Sequence, residues 1–219
     1  MTETQTLIVV STNRGQKQQL SWNGQTVDSG IYKYPVPEGI LLNGLGVQDD
    51  SVIDQKYHGG LSKACYLYSL DHYDFWKPIY PDLNWSMGMF GENLTIQGFN
   101  ESICRVGDVY EIGDAIIKLT EPRQPCFKLG IRFQDQGILK TFVRNNYSGS
   151  YASVLQSGLV RPNDRCELIE RNQGAPSVAE VFSVLYGSIN EKTLIDKIIH
   201  CSDLSEQFKQ SIKKKRAQR

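Results

Sequence analysis

Long apolar runs are missing from this chain. The longest uninterrupted aliphatic stretch is Leu7–Val10, against the ~20 residues that a membrane helix needs. The start, Met1-Thr2-Glu3-Thr4, has neither the basic flank nor the apolar core of a secretory signal. Cysteine is sparse and unpaired in pattern: five residues, at 65, 104, 126, 166 and 201, with no Cys-x-x-Cys. That spacing excludes both a disulfide framework and a zinc ribbon, and makes a reducing cytoplasmic setting the expectation. Net charge is also absent, 24 basic residues against 24 acidic ones, so no global field draws in nucleic acid. What remains is an ordinary globular composition, 40% hydrophobic and 22% charged over 219 residues. A chain of that length buries roughly 70–75% of its unfolded surface without staples.

The hydrophobic period changes once along the chain. Before Pro176 the segments Leu7–Ser11, Ile31–Val36, Ile40–Leu42, Ala64–Ser69, Asn93–Ile96, Val109–Ile112, Ala115–Thr120 and Cys166–Glu170 read as short strands closed by Gly, Pro, Asn or Asp. Gly113-Asp114 between two alternating runs signals a tight hairpin. So many short strands predict an antiparallel sheet closed or folded on itself. One helical island, with Leu70, Tyr73 and Trp76 behind a Ser69 or Asp71 cap, is stopped by Pro78 and Pro81.

From Pro176 the period is helical, and the balance shifts to eight basic against five acidic residues. Ser177-Val178-Ala179-Glu180 is a capping box, followed by Val178, Val181, Phe182 and Leu185 on one face and Gly187 as the stop. Asn190 is the expected cap of a second helix carrying Leu194, Ile195, Ile198 and Ile199. Ser202 is the expected cap of a third, with Leu204, Phe208 and Ile212. Each is too short to persist alone, so the three must pack. The expected organisation is a β-rich domain over 1–172 and a three-helix unit over 176–219. The basic end, Lys213–Arg216 and Arg219, reads either as a helix terminus complementing its dipole or as a nucleic-acid contact.

Few residues are equipped for chemistry. His72 reads as a surface or packing residue and His200 as a cation near a helix C-terminus. His58 precedes Gly59-Gly60 and Lys63; this is either a plain Gly-Gly turn or a place where backbone N–H groups approach an anion. Cys126 lies in Pro122-Arg123-Gln124-Pro125-Cys126-Phe127-Lys128-Leu129. Two prolines stiffen the segment, and the flanking cations favour a thiolate; the plainer reading is a small buried apolar side chain. The other four cysteines read as structural. A cysteine hydrolase would require His58 as base and an orienting third group, and no residue stands out for that role. A soft thiolate among Arg and Lys suits a metal held with an anionic organic ligand better.

Four ordered segments carry a resemblance: His58–Ala64, Gly91-Glu92-Asn93-Leu94, Val106-Gly107-Asp108 and Pro122–Leu129. With Ser29–Lys33 and Ser150–Leu155 they resemble the signatures of the MOSC domain, the module shared with molybdenum-cofactor sulfurases. With the C-terminal helices the chain is similar, over nearly its whole length, to the stand-alone YiiM-like branch. The resemblance implies a mainly β, barrel-like domain with a three-helix appendage and a molybdenum cofactor pocket. It implies Cys126 as the molybdenum ligand, with Lys33, His58, Lys63, Asn93, Arg123 and Lys128 around the cofactor. A pyridoxal phosphate site is not expected, because the module that carries it has no counterpart here. The implied reaction is reduction of N-hydroxylated compounds, including toxic base analogues, with electrons from a separate donor protein. A cofactor carrier or sulfur-handling module without turnover is the alternative, and a nucleic-acid-associated protein a third reading. Apart from the resemblance, which does not fix the role, His58 could donate a proton as the N–O bond breaks, and Tyr32, Phe90 and Phe127 suit either a flat aromatic substrate or the core. The chain departs from the family at Leu61-Ser62, where Pro-Asp is usual, and at Asp49 and Asn163, where glycine is common.

Overall fold

A computed structural model describes residues 7–218; Met1–Thr4 and Arg219, weighed above, lie outside them. The strands are β1 (Leu7–Gly15), β2 (Gln18–Trp22), β3 (Gln25–Ser29), β4 (Lys33–Pro35), β5 (Ile40–Asn43), β6 (Gly46–Val47), β7 (Cys65–Ser69), β8 (Leu94–Gln97), β9 (Val109–Ile112), β10 (Ala115–Pro122), β11 (Ser150–Gln156), β12 (Gly158–Val160) and β13 (Arg165–Glu170). The helices are α1 (Gln55–His58), α2 (Tyr73–Trp76), α3 (Phe127–Arg132), α4 (Ile138–Asn145), α5 (Val178–Tyr186), α6 (Lys192–His200) and α7 (Glu206–Ala217).

Seven strands close a barrel in the order β1-β8-β7-β11-β10-β9-β13, and β13 returns to pair with β1. Closure leaves no barrel edge exposed to another chain. The neighbours are antiparallel except β7 and β8, which run parallel. The predicted Gly113-Asp114 hairpin is present, with Gly113 in the left-handed region at φ 56°. Alternation decides which side chains enter the barrel: Val9, Leu94, Ile96, Ile117, Leu119 and Ala152 are fully buried in an aliphatic core.

A second core lies outside the barrel and is chemically different. Tyr68, Tyr73, Trp76, Phe90, Phe133 and Phe142 pack edge-to-face or stacked, with Tyr68 and Phe90 at 4.2 Å between ring centroids. A third, aliphatic cluster joins Val106 to Val181, Leu185, Ile198, Phe208 and Ile212. α5 belongs to all of them: Val178 enters the barrel core, Phe182 the aromatic one and Val181 the third.

Several sequence expectations need correction. The Ile31–Val36 strand shrinks to Lys33–Pro35, because the Ile31 side chain turns into the aromatic core and its carbonyl accepts from Arg132. Ser69 and Asp71 cap nothing; a 3-10 turn over Leu70–His72 leads into α2. The capping box at Ser177 is present with both of its bonds. α6, however, starts after Glu191 rather than Asn190, and α7 after Ser205 rather than Ser202. Ser205 wins because Leu204 is buried as an anchor ahead of the helix, placing the next hydroxyl 3.1 Å from the Phe208 amide. His72 is a packing residue, bonded to Glu101 at 2.9 Å and stacked on Tyr147. His200 is exposed and bonds the Asp196 carbonyl at 2.7 Å. No helix among the described residues is long and apolar enough to cross a membrane.

Candidate functional site

Cys126 sits at the end of the proline-stiffened segment, on the residue preceding α3. It is half-buried, whereas Cys65, Cys104 and Cys166 are buried in the barrel core. Burial pushes those three thiols up, to about 11 at Cys104 and about 12 at Cys166, which suits inert core residues. Cys126 also stands where two cavities meet. An inner recess of ≈ 80 Å³ and an outer cavity of ≈ 370 Å³ share Cys126, His58, Lys63, Lys128 and Tyr151 in their walls.

The inner recess brings together all the sequence-predicted cofactor residues: Lys33, His58, Lys63, Asn93, Arg123 and Lys128. Its back wall is unusually close: a Cβ on Gly30 would stand 1.6 Å from the Ser51 carbonyl, so only glycine lets that backbone pass. Lys33, almost completely buried, forms an ion pair with Asp50. Burial lowers its affinity for a proton, and Asp50 works against that. Asn93 spends its amide on structure, donating to Asp50 at 3.0 Å and accepting from the Tyr66 amide at 3.2 Å. Lys63 pairs with buried Glu121 at 3.0 Å.

Arg123 differs from the two lysines. It is buried, yet its partners are neutral: the Phe90 carbonyl at 2.5 Å and the phenols of Tyr66 and Tyr151. Its guanidinium also lies over the Tyr66 ring at 5.0 Å. A buried cation without a carboxylate is expensive unless a ligand supplies the anion. Lys128 adds a second positive charge, lying 6.0 Å over the Phe127 ring. The donor set therefore fits an anionic group beside a soft thiol.

His58 contacts the Tyr151 hydroxyl through Nδ1 at 2.9 Å. Burial, then Arg123, Lys63 and Lys128, lower its pKa from 6.5 to about 3. Its imidazole is thus neutral at pH 7.

Sequence reasoning missed the carboxylates that set the lysines, Asp50 and Glu121, and the outer wall, which Tyr57, Gln207, Phe208 and Ser211 help to build. Of the three aromatic residues proposed for substrate, Phe127 alone lines one of these two cavities. Phe90 is fully buried in the aromatic core, and Tyr32 lies under the Arg132 guanidinium at 4.9 Å. Leu61 occupies the first position of a 3-10 turn, where a proline would also fit. Asp49 and Asn163 adopt φ 58° and 75°. Those are left-handed positions that favour glycine and that Asp and Asn tolerate, so neither departure disturbs the loops.

Comparison with known proteins places this architecture. The MOSC domain model matches residues 54–182. YflK of Bacillus subtilis is 33% identical over 95% of this chain and 94% of its own length. A protein of Gibberella moniliformis named Reductase is 35% identical over 74% of this chain, which covers 29% of that protein. The crystal structure of YiiM from Geobacillus stearothermophilus superposes with a TM-score of 0.79 at 29% identity, covering 95% of this chain and 98% of that one.

Proposed function

Since the chain belongs to the MOSC domain family, we propose that it binds a molybdenum cofactor at Cys126 and reduces N-hydroxylated compounds. The observation that carries this reading is a half-buried thiol at the meeting of two cavities, beside a buried arginine whose partners among the described residues are neutral. The reductase name of the fungal relative favours turnover over a purely carrying or sulfur-handling role.

Cys126 would ligate the metal. Among the described residues no group of three or more His, Cys, Asp or Glu is placed to hold a metal ion, so the remaining ligands would come from the organic part of the cofactor. Lys33, Lys63, Arg123 and Lys128 would neutralise its anionic groups, and Asn93 would keep Asp50 on Lys33. When bound, such a cofactor supplies two-electron redox chemistry with oxygen-atom transfer. Converting an N–OH group to N–H and water consumes two electrons and two protons, the electrons coming from a separate donor protein. His58, which lines both cavities together with Cys126, would relay one of the protons. A reducing cytoplasm would keep the chain's cysteines as free thiols.

The test is Cys126→Ser in protein made by cells competent for cofactor synthesis. Bound molybdenum should drop, and reduction of an N-hydroxylated purine by a chemical or flavoprotein reductant should vanish, with the thermal midpoint retained. Equal molybdenum in both proteins would remove Cys126 as a ligand. Molybdenum bound by the wild type without turnover would leave the carrier reading.

A further inference from the structure

The outer cavity has a wall from an unexpected place, the C-terminal helix. Its volume of ≈ 370 Å³ lies within the range of about 300–1,000 Å³ typical of small-molecule sites. Lys63, Lys128, Asp54 and Glu121 bring charge of both signs to this cavity, and α7 contributes Gln207, Phe208 and Ser211, three uncharged side chains. Gln207 and Ser211 are one turn apart, so both fall on the same helix face. Flat faces come from Tyr57, Phe127 and Tyr151, and such rings accept other planar rings in offset or tilted stacking.

The helix is also held in place. Phe208 is 2% exposed in the third core cluster. The Ser205 hydroxyl donates to Glu121 at 2.5 Å, and Gln207 Nε2 donates to the Lys56 carbonyl at 2.9 Å. Glu121 carries Lys63 on its other oxygen, so the position of α7 is tied to the recess itself. A wall fixed in this way sets a size limit, where a loose one would give.

We propose that α7 closes a binding subsite for the ring of a planar heteroaromatic substrate, and that Gln207 and Ser211 determine its size; for the reaction this rests on the reductase reading. Lys33 and Arg123 line the inner recess alone, while Lys63 and Lys128 stand where the two cavities meet, leaving the uncharged helix face for the neutral part of the substrate. Ser211 is half-buried, and its hydroxyl bonds only the Gln207 carbonyl of its own helix at 3.1 Å. A larger side chain there projects into the cavity without breaking a tertiary bond.

The experiment uses the cofactor-loaded protein with Ser211→Trp, and Ser211→Leu as a smaller step should tryptophan disturb folding. Two substrates are compared, an N-hydroxylated purine and acetamidoxime. Calorimetric binding of the purine is measured without reductant, and molybdenum content is measured throughout. The ratio of kcat/KM for purine over acetamidoxime should fall about tenfold or more with tryptophan and less with leucine, a size effect of the kind seen when a pocket is filled. Purine binding should weaken in parallel at constant molybdenum. An unchanged ratio in folded variants, or wild-type protein that does not bind the purine, would overturn the subsite. A fall in molybdenum in step with activity would overturn it too, by making α7 a wall for the cofactor. If the wild type binds purine yet reduces neither compound, the reductase reading fails, and the binding difference alone decides the subsite.

Discussion

The two sides of Cys126 are built from different material. On the inner side, Lys33, Asn93 and Arg123 come from strands or their ends, and their side chains are bonded to other buried groups, Asp50 in the loop after β6 among them. On the outer side, Tyr57, Gln207 and Ser211 come from short or terminal helices and are half-buried or exposed. The inner side spends folding free energy to hold charge in a low-dielectric place, which makes sense only if the ligand there is constant. The outer side commits little, so its residues can change with the substrate while the barrel stays the same.

The sharpest way to break this contrast is at Asp50. It pairs with Lys33, accepts from Asn93 and takes the Gly15 amide at 2.8 Å. Asp50→Ala leaves a buried lysine without its carboxylate and should cost about 3–5 kcal/mol of stability. Denaturant unfolding at pH 7.5 measures the loss. Lys33→Met combined with Asp50→Leu should recover most of it, since an apolar pair of similar volume needs no compensation. If the double variant is as unstable as Asp50→Ala, the cost lies in the Gly15 and Asn93 bonds and not in the charge.

That carboxylate was also the least legible part of the site. The strands were readable because alternation is a local property, as at Val109–Ile112 and Ala115–Thr120. The Cys126 segment was readable because two prolines and two cations stand within eight residues. Asp50 and Glu121 meet Lys33 and Lys63 only through the tertiary fold, across separations of 17 and 58 residues, and no local pattern records such a pairing. α7 reaches the outer cavity from 81 residues beyond Cys126 at its first lining position, Gln207, for the same reason. One omission had a signal: Asn23-Gly24 between β2 and β3, at φ 49° and 76°, is a strong hairpin marker. The helices α3 and α4 also had a signal, since Leu129 and Phe133, and again Ile138 and Phe142, stand four residues apart, but the prolines and cations around Cys126 mark that stretch as a loop.

A smaller effect is expected from His58, where the inner cations act on a group shared with the outer cavity. Its folded pKa of about 3 lies below the ordinary 6.5. Between those values the unfolded chain binds a proton that the folded one refuses, so stability falls as pH drops below about 6.5. The slope approaches ~1.4 kcal/mol per pH unit. In cofactor-free protein, unfolding at pH 7.5 and pH 5 should show the wild type losing about 2 kcal/mol more than His58→Gln. Equal losses would mean that burial and the neighbouring cations do not hold His58 neutral. Loading the anionic cofactor should shrink the difference, because it offsets Arg123, Lys63 and Lys128.

The mildest perturbation tests whether the outer wall is tied to the inner side at all. Ser205 accepts from the Phe208 amide at 3.1 Å and donates to Glu121 at 2.5 Å. Ser205→Ala removes both bonds, and loss of the cap alone should cost about 1 kcal/mol. Ser177→Ala removes a comparable cap at α5, which has no bond to Glu121, and serves as the control. The two variants should lose similar stability, yet only Ser205→Ala should change the kinetics by raising KM for the N-hydroxylated purine. Freed from Ser205, Glu121 binds Lys63 alone and α7 loses a fixed point beside the cavity. Rescue by Ser205→Thr, which keeps the hydroxyl, would distinguish this coupling from a general loosening of the helix. If both alanine variants shift KM equally, α7 is held by its apolar contacts through Phe208 and Ile212, and the Glu121 bond is incidental to binding.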